Sequence, residues 1–332
     1  MQTIALEEHF WTARLAAAPG TGPLARADGA RLDERLRDLG PARIASMDAA
    51  GIDVQVLSHA QPAAQGVAGD QGVTAAREAN DALAAAIARH PDRLAGFATL
   101  PAGDPRQAAA ELERAVQGLG LVGCMVHSTL GTSGAFLDDE RFEPLLAACE
   151  DLDVPLYLHP SPAPGEVAAV LFGGLKPAVA ARLATNAWGW HAEAGLHALR
   201  LVASGTFERH PALKLIIGHC GEMLPFMLAR VDEVLPPAVT GLPHPPSTYA
   251  RRNVWVTTSG MFSLPPVLCS IAVMGIDRVL FSVDYPFAEN QAGRHLLDAL
   301  PLSPADKAKV AGENAARLLR LAGAAAPVTG DR

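Results

Sequence analysis

The 332-residue chain is long enough for two average domains or for one α/β barrel. Hydrophobic residues make up 49% of it and charged residues 19%, which excludes a chain that is disordered throughout. The net charge of -8 argues against a nucleic-acid-binding protein, which needs a basic face. A small anionic substrate remains compatible with this charge, because one or two local arginines are enough to bind it.

Neither a membrane span nor a secretion signal is visible in the chain. The longest uncharged run, between Arg252 and Asp277, is interrupted by a Thr-Thr-Ser-Gly segment and by two prolines. The first ten residues lack the basic start of a signal peptide. The four cysteines stand far apart and form no C-x-x-C pair. We therefore expect a cytoplasmic protein that does not bind membranes.

Short apolar runs alternate with longer helical patterns along the chain. The apolar runs predict eight β-strands: Thr3–Leu6, Val54–Ser58, Leu94–Leu100, Leu121–Val126, Val154–His159, Leu213–Gly218, Asn253–Thr258 and Arg278–Val283. The other segments predict helices at Thr74–His90, Pro105–Leu119, Asp139–Leu152, Ala192–His210, Glu222–Leu235, Pro265–Met274 and Pro304–Leu321, the last capped by Ser303. Continuous apolar strands are typical of parallel sheets that are covered on both faces.

This alternation predicts an α/β fold, a (β/α)8 TIM barrel, over residues 1–322, with a flexible tail at residues 323–332. An open doubly wound sheet is the alternative, but no G-x-G-x-x-G motif follows the first strand. Two Gly- and Pro-containing connections, Pro19–Ala30 and Ser161–Gly189, predict extended loops after the first and fifth strands. Such loops lie at the face where barrels hold their active sites.

Ligand-type side chains follow three of the predicted strands. Glu7 and His9 follow the first strand two positions apart, so an extended backbone turns both to one side and Glu8 to the other. His159 ends the fifth strand, and Asp284 follows the eighth. In a closed barrel these ends converge on one pocket. Two imidazoles and two carboxylates suit Zn²⁺ or Mn²⁺, and also Fe²⁺, so we predict one divalent metal ion there.

Longer motifs extend over nearly the whole chain. They are Ala5–Phe10, Tyr157–Pro160, His197–Gly205 with Phe207–Pro211, Gly218–Glu222, Thr257–Gly260, Phe281–Phe287 and Asn314–Leu319. In this order they resemble the metal-dependent amidohydrolase superfamily. More narrowly, they resemble its branch of non-oxidative decarboxylases of ortho-hydroxybenzoates and related acids, the γ-resorcylate and aminocarboxymuconate-semialdehyde decarboxylases included. The resemblance implies a homodimer or homotetramer.

The resemblance also implies roles for individual residues. Four positions match the metal ligands of the family: Glu7, His9, His159 and Asp284. His219 matches an active-site histidine near the metal, and Glu222 matches the residue that orients it. Arg230 matches a residue of the substrate's neighbourhood, with a surface ion pair as the alternative. The Glu-x-His start resembles the benzoate decarboxylases, whereas many superfamily members start with His-x-His.

Other pocket predictions concern residues that depart from the resemblance or lie in loops. His127 stands where resorcylate-type enzymes tend to carry Asn, and we predict that it contacts substrate unless it is a structural loop histidine. Trp188 is predicted to wall an aromatic substrate, with loop packing as the alternative. Cys220 has no separate base beside it, so we do not expect a nucleophile. His191, on a helix or loop, is expected to carry no chemistry.

We predict a metal-dependent decarboxylase of a hydroxyaryl or related unsaturated carboxylic acid. The metal would fix the substrate's carboxylate and ortho oxygen, Asp284 would transfer a proton to the ring, and His219 would supply or hold that proton. The alternative is a hydrolase or hydratase with the same site, in which Asp284 is the base for a metal-bound water and His219 stabilises the oxyanion. A non-catalytic binding barrel is a third class, which the intact ligand set disfavours.

Overall fold

The strands run parallel and follow one another in chain order around a closed barrel. The computed structural model describes residues 1–17, 29–128, 130 and 134–321. The strands are β1 Ile4–Phe10, β2 Val54–His59, β3 Leu94–Gly96, β4 Ala98–Thr99, β5 Cys124–His127, β6 Leu156–His159, β7 Leu215–Ile217, β8 Val254–Thr257 and β9 Val279–Leu280. A bridge between Leu6 and Ser282 joins the last strand to the first. The (β/α)8 barrel prediction is confirmed.

The α-helices occupy the connections and cover the outside of the barrel. They are α1 Ala13–Ala16, α2 Gly29–Arg37, α3 Pro41–Ala50, α4 Gly69–Arg89, α5 Pro105–Glu113, α6 Glu143–Asp151, α7 Gly165–Phe172, α8 Pro177–Ala184, α9 Gly189–Ala203, α10 Thr206–Arg209, α11 Leu224–Val234, α12 Pro237–Thr240, α13 Pro246–Asn253, α14 Leu264–Met274, α15 Asn290–Ala299, α16 Pro304–Ala308 and α17 Asn314–Leu319. A π-helical segment, Lys309–Glu313, joins α16 to α17.

The structure modifies several predicted boundaries. The predicted strand Leu94–Leu100 is divided at Phe97, whose amide bonds to Leu57 O at 2.8 Å before the chain pairs with β5. β1 continues to Phe10 because it pairs with β2 across a register shift between Ala5 and Glu8. Ser303 caps α16 as predicted, since its hydroxyl accepts a hydrogen bond from the Asp306 amide. The predicted tail at residues 323–332, and residues 19–28 of the first predicted loop, lie outside the described residues.

Two apolar layers form the core, one inside the barrel and one between the barrel and the helices. One cluster fills the barrel interior with side chains from successive strands, such as Leu6, Val56 and Ile216, and α17 packs against it with Leu318 and Leu319. A larger cluster lies between the outer faces of the strands and the helices. Because residues alternate along a strand, each strand contributes to both layers. Within the described chain, no helix combines the length and the apolar character needed to cross a membrane.

Candidate metal and acid–base site

The ligand-type side chains predicted from the strand ends lie together at the carboxyl end of the barrel. Ligand atoms of Glu7, His9 and His159 lie within 4.8 Å of one another, and all three residues are buried. His159 Nε2 is 3.4 Å from Glu7 Oε1. Asp284 Oδ1 is 3.2 Å from His9 Nε2, which places the fourth predicted ligand beside this group.

Two atoms of this group test whether a cation fits. Glu7 Oε1 and His9 Nε2 are buried beside His159 and Asp284, but neither forms a hydrogen bond among the described residues. A buried polar atom without a partner costs free energy, and a bound cation would compensate for it. Burial raises the pKa of Glu7. A divalent ion at this point would favour the carboxylate form, so the donor set fits Zn²⁺ or Mn²⁺.

The Glu7 side chain is fixed on the side away from the other ligands. Tyr157 on β6 and Thr257 on β8 each donate a hydroxyl hydrogen bond to Glu7 Oε2, which leaves Oε1 directed toward His159. A Cβ at position 218 would lie 2.8 Å from Glu7 Oε2, so only glycine leaves room for this carboxylate. Glu7 itself has a φ of +63°, and this left-handed residue accompanies the register shift in β1. The predicted strict alternation of β1 is therefore wrong at Glu7, although Glu7 and His9 still reach one site.

A second histidine fixes the tautomer of His159. The Pro160 carbonyl accepts a hydrogen bond from His159 Nδ1 at 2.7 Å, so Nε2 is free to face Glu7. His127 Nδ1 lies 3.0 Å from the same Nδ1, and its Nε2 donates to His59 O at 3.2 Å. Burial lowers the pKa of His127 to about 3, consistent with a neutral ring.

The geometry favours the alternative for His127, a structural histidine, and its contact with substrate stays a prediction. Its side chain is 1% exposed, and its two ring nitrogens face His159 and the His59 carbonyl. His127 supports His159 from behind, because β5 and β6 are paired in register at these two residues.

His219 connects this group to a buried carboxylate. Its Nδ1 donates to Glu222 Oε1 at 2.7 Å, and its Nε2 lies 4.0 Å from Asp284 Oδ2. Burial lowers the pKa of His219, but the Glu222 and Glu7 carboxylates raise it by more, so that the pKa is about 10. These carboxylates thus favour the protonated form of a ring that lies close to Asp284.

The residue that sequence reasoning missed here is His191. Its Nδ1 donates to Glu222 Oε2 at 2.6 Å, so Glu222 joins two imidazoles. Three ligand-type atoms of His191, His219 and Glu222 lie close enough to hold a metal ion, but both nitrogens already form hydrogen bonds to the carboxylate. Burial raises the pKa of Glu222, while the two histidines lower it by more. The Trp190 indole N–H lies 3.1 Å from His191 Nε2.

Backbone strain is concentrated in the loops that carry these residues. Besides Glu7, the non-glycine residues with positive φ include Asp284 at +77°, His219 at +47° and Glu222 at +50°. Each such residue costs roughly 1–3 kcal/mol and persists only where the surrounding structure imposes it. The sequence showed no signal for this strain, because the residue types themselves favour other conformations.

The remaining predicted residues lie at the surface or serve packing. Arg230 is exposed and pairs with Glu233 at 2.9 Å on α11, so within one chain it has its alternative role, a surface ion pair. Trp188 is 56% exposed, and its contact with substrate stays a prediction. Cys220 is buried, and burial raises the pKa of its thiol to about 12, in agreement with the expectation that it is no nucleophile.

The chain is similar to decarboxylases of known sequence and structure. It is 38% identical over 295 residues to "Decarboxylase orsB" of Emericella nidulans, covering 87% of each chain. It is 37% identical to the gamma-resorcylate decarboxylase of Polaromonas sp., covering 96% of this chain and 98% of that one.

A solved structure has the same fold over nearly its full length. The dihydroxybenzoic acid decarboxylase of Polaromonas sp., crystallised with manganese and the inhibitor 2-nitroresorcinol, superposes with a TM-score of 0.87 and 36% identity. The match covers 96% of this chain and 97% of that one. The amidohydrolase family model itself matches residues 7–321. The chain therefore belongs to the amidohydrolase family.

Proposed function

We propose that the protein is a metal-dependent, non-oxidative decarboxylase of a hydroxyaryl carboxylic acid. One divalent ion, Mn²⁺ or Zn²⁺, would be held by Glu7, His9, His159 and Asp284. The observation that carries the proposal is the pair of unpartnered buried atoms, Glu7 Oε1 and His9 Nε2, beside His159. This donor set occurs in a chain that matches decarboxylases over most of its length.

The chemistry requires a proton at the ring carbon that bears the carboxyl group. A divalent ion held by the four proposed ligands would supply Lewis-acid chemistry, which orients a carboxylate substrate and withdraws charge from its ring. Asp284 delivers its proton to that carbon, and the electrons of the broken carbon–carboxyl bond then restore the aromatic ring as CO2 leaves. Because a ligand carboxylate is otherwise ionised, Asp284 first takes up this proton from His219, whose Nε2 lies 4.0 Å from Asp284 Oδ2 and is reprotonated from solvent. Glu222 keeps His219 in this orientation through Nδ1.

The test is a panel of hydroxybenzoates incubated with the manganese-loaded protein, with CO2 release as the readout. We expect CO2 from at least one ortho-hydroxybenzoate. His159→Ala and Asp284→Ala should each lower that rate at least about 100-fold, because each removes a proposed ligand. The exposed His295→Ala is the matched control and should leave it unchanged. Ester or lactone turnover without CO2 from any acid would favour the hydrolase instead.

We further propose that the protein is a homodimer or homotetramer. Helices α7 and α8 contain no buried residue, and Val170 and Leu171 are 85% and 63% exposed in the single chain. Short helices with such a surface are marginal in water without a packing partner, and a second copy of the chain would cover them.

The free cysteines of the described chain support the cytoplasmic location expected from sequence.

A further inference from the structure

The barrel closes between β1 and the segment after β9, directly beside the proposed metal ligands. Backbone hydrogen bonds across this seam run from the Leu6 amide to Phe281 O at 3.3 Å and from the His9 amide to Tyr285 O at 2.6 Å. Between these two points the left-handed residues Glu7 and Asp284 interrupt the regular ladder. The seam therefore needs other contacts at the level of the site.

The Glu8 side chain supplies those contacts. Its Oε1 accepts a hydrogen bond from the Val283 amide and its Oε2 one from the Tyr285 amide, both at 2.9 Å. These are the amides of the two residues on either side of Asp284. Glu8 is fully buried, so water does not compete for its oxygens. Burial raises the pKa of Glu8 to about 8, whereas the two amide hydrogen bonds lower it, because they favour the ionised form that accepts them.

The position of Asp284 depends on the backbone that Glu8 holds on each side of it. The Tyr285 amide belongs to the peptide that follows Asp284, and the Val283 amide belongs to the peptide one residue before the one that precedes it. A φ of +77° is unfavourable for an aspartate, so this segment relaxes to another conformation unless it is held on both sides. Holding it determines where the Asp284 carboxylate lies relative to His9, 3.2 Å away. Glu8 does this from outside the site, because its two oxygens bond backbone amides rather than the proposed ligand atoms.

A buried cation supports the same arrangement. The Arg43 Nη2 donates to His9 O at 2.7 Å, and its guanidinium lies 4.8 Å from the centre of the Tyr285 ring. Arg43 is 0% exposed, and its charge favours the ionised form of Glu8. Arg43 thus holds the backbone of His9, while Glu8 holds the backbone around Asp284.

We propose that Glu8 is a positioning residue, whose carboxylate fixes Asp284 at the metal site by bonding the amides of Val283 and Tyr285. This inference rests on the proposed function, because it assigns Asp284 a place in that site. The strand pattern turns Glu8 away from the proposed ligands. The inference gives Glu8 a role in metal binding without contact with the metal.

The first test measures hydrogen exchange in the metal-free wild-type protein, which requires no substitution. The peptide containing Val283 and Tyr285 should exchange slowly, because both amides are bonded within the protein. Fast exchange of that peptide in the folded wild-type protein would overturn the proposal.

The second test compares Glu8→Gln with Glu111→Gln. A glutamine side chain in place of the Glu8 carboxylate would present an NH2 group to one amide N–H, so one of the two bonds is lost. Glu111 is an equally buried carboxylate, which accepts from Asn80 and Arg114 and lies outside the proposed ligand set. We expect Glu8→Gln alone to speed exchange at residues 283–285 and to weaken Mn²⁺ binding about 10- to 100-fold.

Several outcomes would contradict the assignment. Unchanged exchange at residues 283–285 in Glu8→Gln, or an equal loss of Mn²⁺ affinity in Glu111→Gln, would reduce Glu8 to a structural residue. Failure of the proposed function has a different signature: no CO2 from any acid, with the exchange difference still present. If Glu8→Gln does not fold, Glu8→Asp, which retains the charge but cannot span both amides, takes its place.

Discussion

At the scale of single residues, Gly218 matters to the proposed metal site because it has no side chain. Gly218 leaves room for Glu7, whose Oε2 would lie 2.8 Å from an added Cβ. We expect Gly218→Ala to displace Glu7 and to weaken Mn²⁺ binding by about 10-fold or more. Isothermal titration with Mn²⁺ measures this. Gly103→Ala is the control, since nothing lies within 4 Å of an added Cβ there; equal affinity in both variants would contradict the assignment.

His191 contacts the site through its hydrogen bond to Glu222 and through its ring, whose centroid lies 4.6 Å from that of His219. Its hydrogen bond of 2.6 Å to Glu222 Oε2 is charge-assisted, and such bonds contribute about 1.5–3 kcal/mol. We expect His191→Ala to lower kcat about 10-fold while Mn²⁺ affinity stays within about 2-fold, because His191 bonds Glu222 rather than a proposed ligand. Steady-state kinetics and metal titration separate the two effects. A variant with wild-type kcat would show that Glu222 needs no second partner.

Glu193 on α9 makes folding stability depend on pH. Burial raises its pKa to about 7 from an ordinary value of 4.5, and the Ser128 hydroxyl lowers it by less. Because the folded protein binds this proton more tightly than the unfolded chain, the contribution is present below pH 4.5 and lost as pH rises through 7.

Glu193→Gln removes this dependence. Relative to wild type, it should gain up to about 3 kcal/mol of unfolding free energy between pH 5 and pH 8. Urea unfolding at both pH values measures the difference. The exposed Glu140→Gln should show no such trend, and a parallel pH dependence of Glu193→Gln and wild type would contradict the interpretation.

At the scale of elements, α7 and α8 differ from the longer helices of the described chain because they contain no buried residue. If a second copy covers them, Val170→Glu combined with Leu171→Glu should lower the molar mass in solution to that of one chain. Light scattering coupled to size-exclusion chromatography measures this. Leu268→Glu, on α14, is the control for an added charge on a half-exposed apolar residue. A monomeric wild-type protein, or an unchanged mass, would contradict the proposed interface.

At the scale of the whole molecule, the proposed ligands come from parts of the chain that are far apart in sequence: β1, β6 and the segment after β9. A metal ion held by all three joins distant parts of the chain and stabilises the folded state by mass action. Mn²⁺ at 100 times its dissociation constant should add about 2.7 kcal/mol. The melting temperature should therefore rise by several degrees with Mn²⁺ and fall again with a chelator. His159→Ala with Asp284→Ala should lose this response; a wild-type protein without it would contradict the metal site.

The sequence by itself determined the barrel and the positions of the ligand-type residues. Continuous apolar runs require burial on both faces, and their alternation with helices leaves a parallel barrel as the compact solution. Since these runs end in polar residues, closing the barrel brings Glu7, His9, His159 and Asp284 to one end. These conclusions depend on local pattern and chain order, which a sequence displays.

Only the tertiary structure decided which neighbours those residues have. Glu8 bonds amides more than 270 positions away, and His191 on α9 reaches Glu222 in the turn before α11. His127 lies behind His159 because two strands pair in register, and Arg230 faces outward because of how α11 is turned. Such contacts follow from side-chain direction and from backbone conformations that are unfavourable for each residue alone. They exist only because the packed barrel stabilises them.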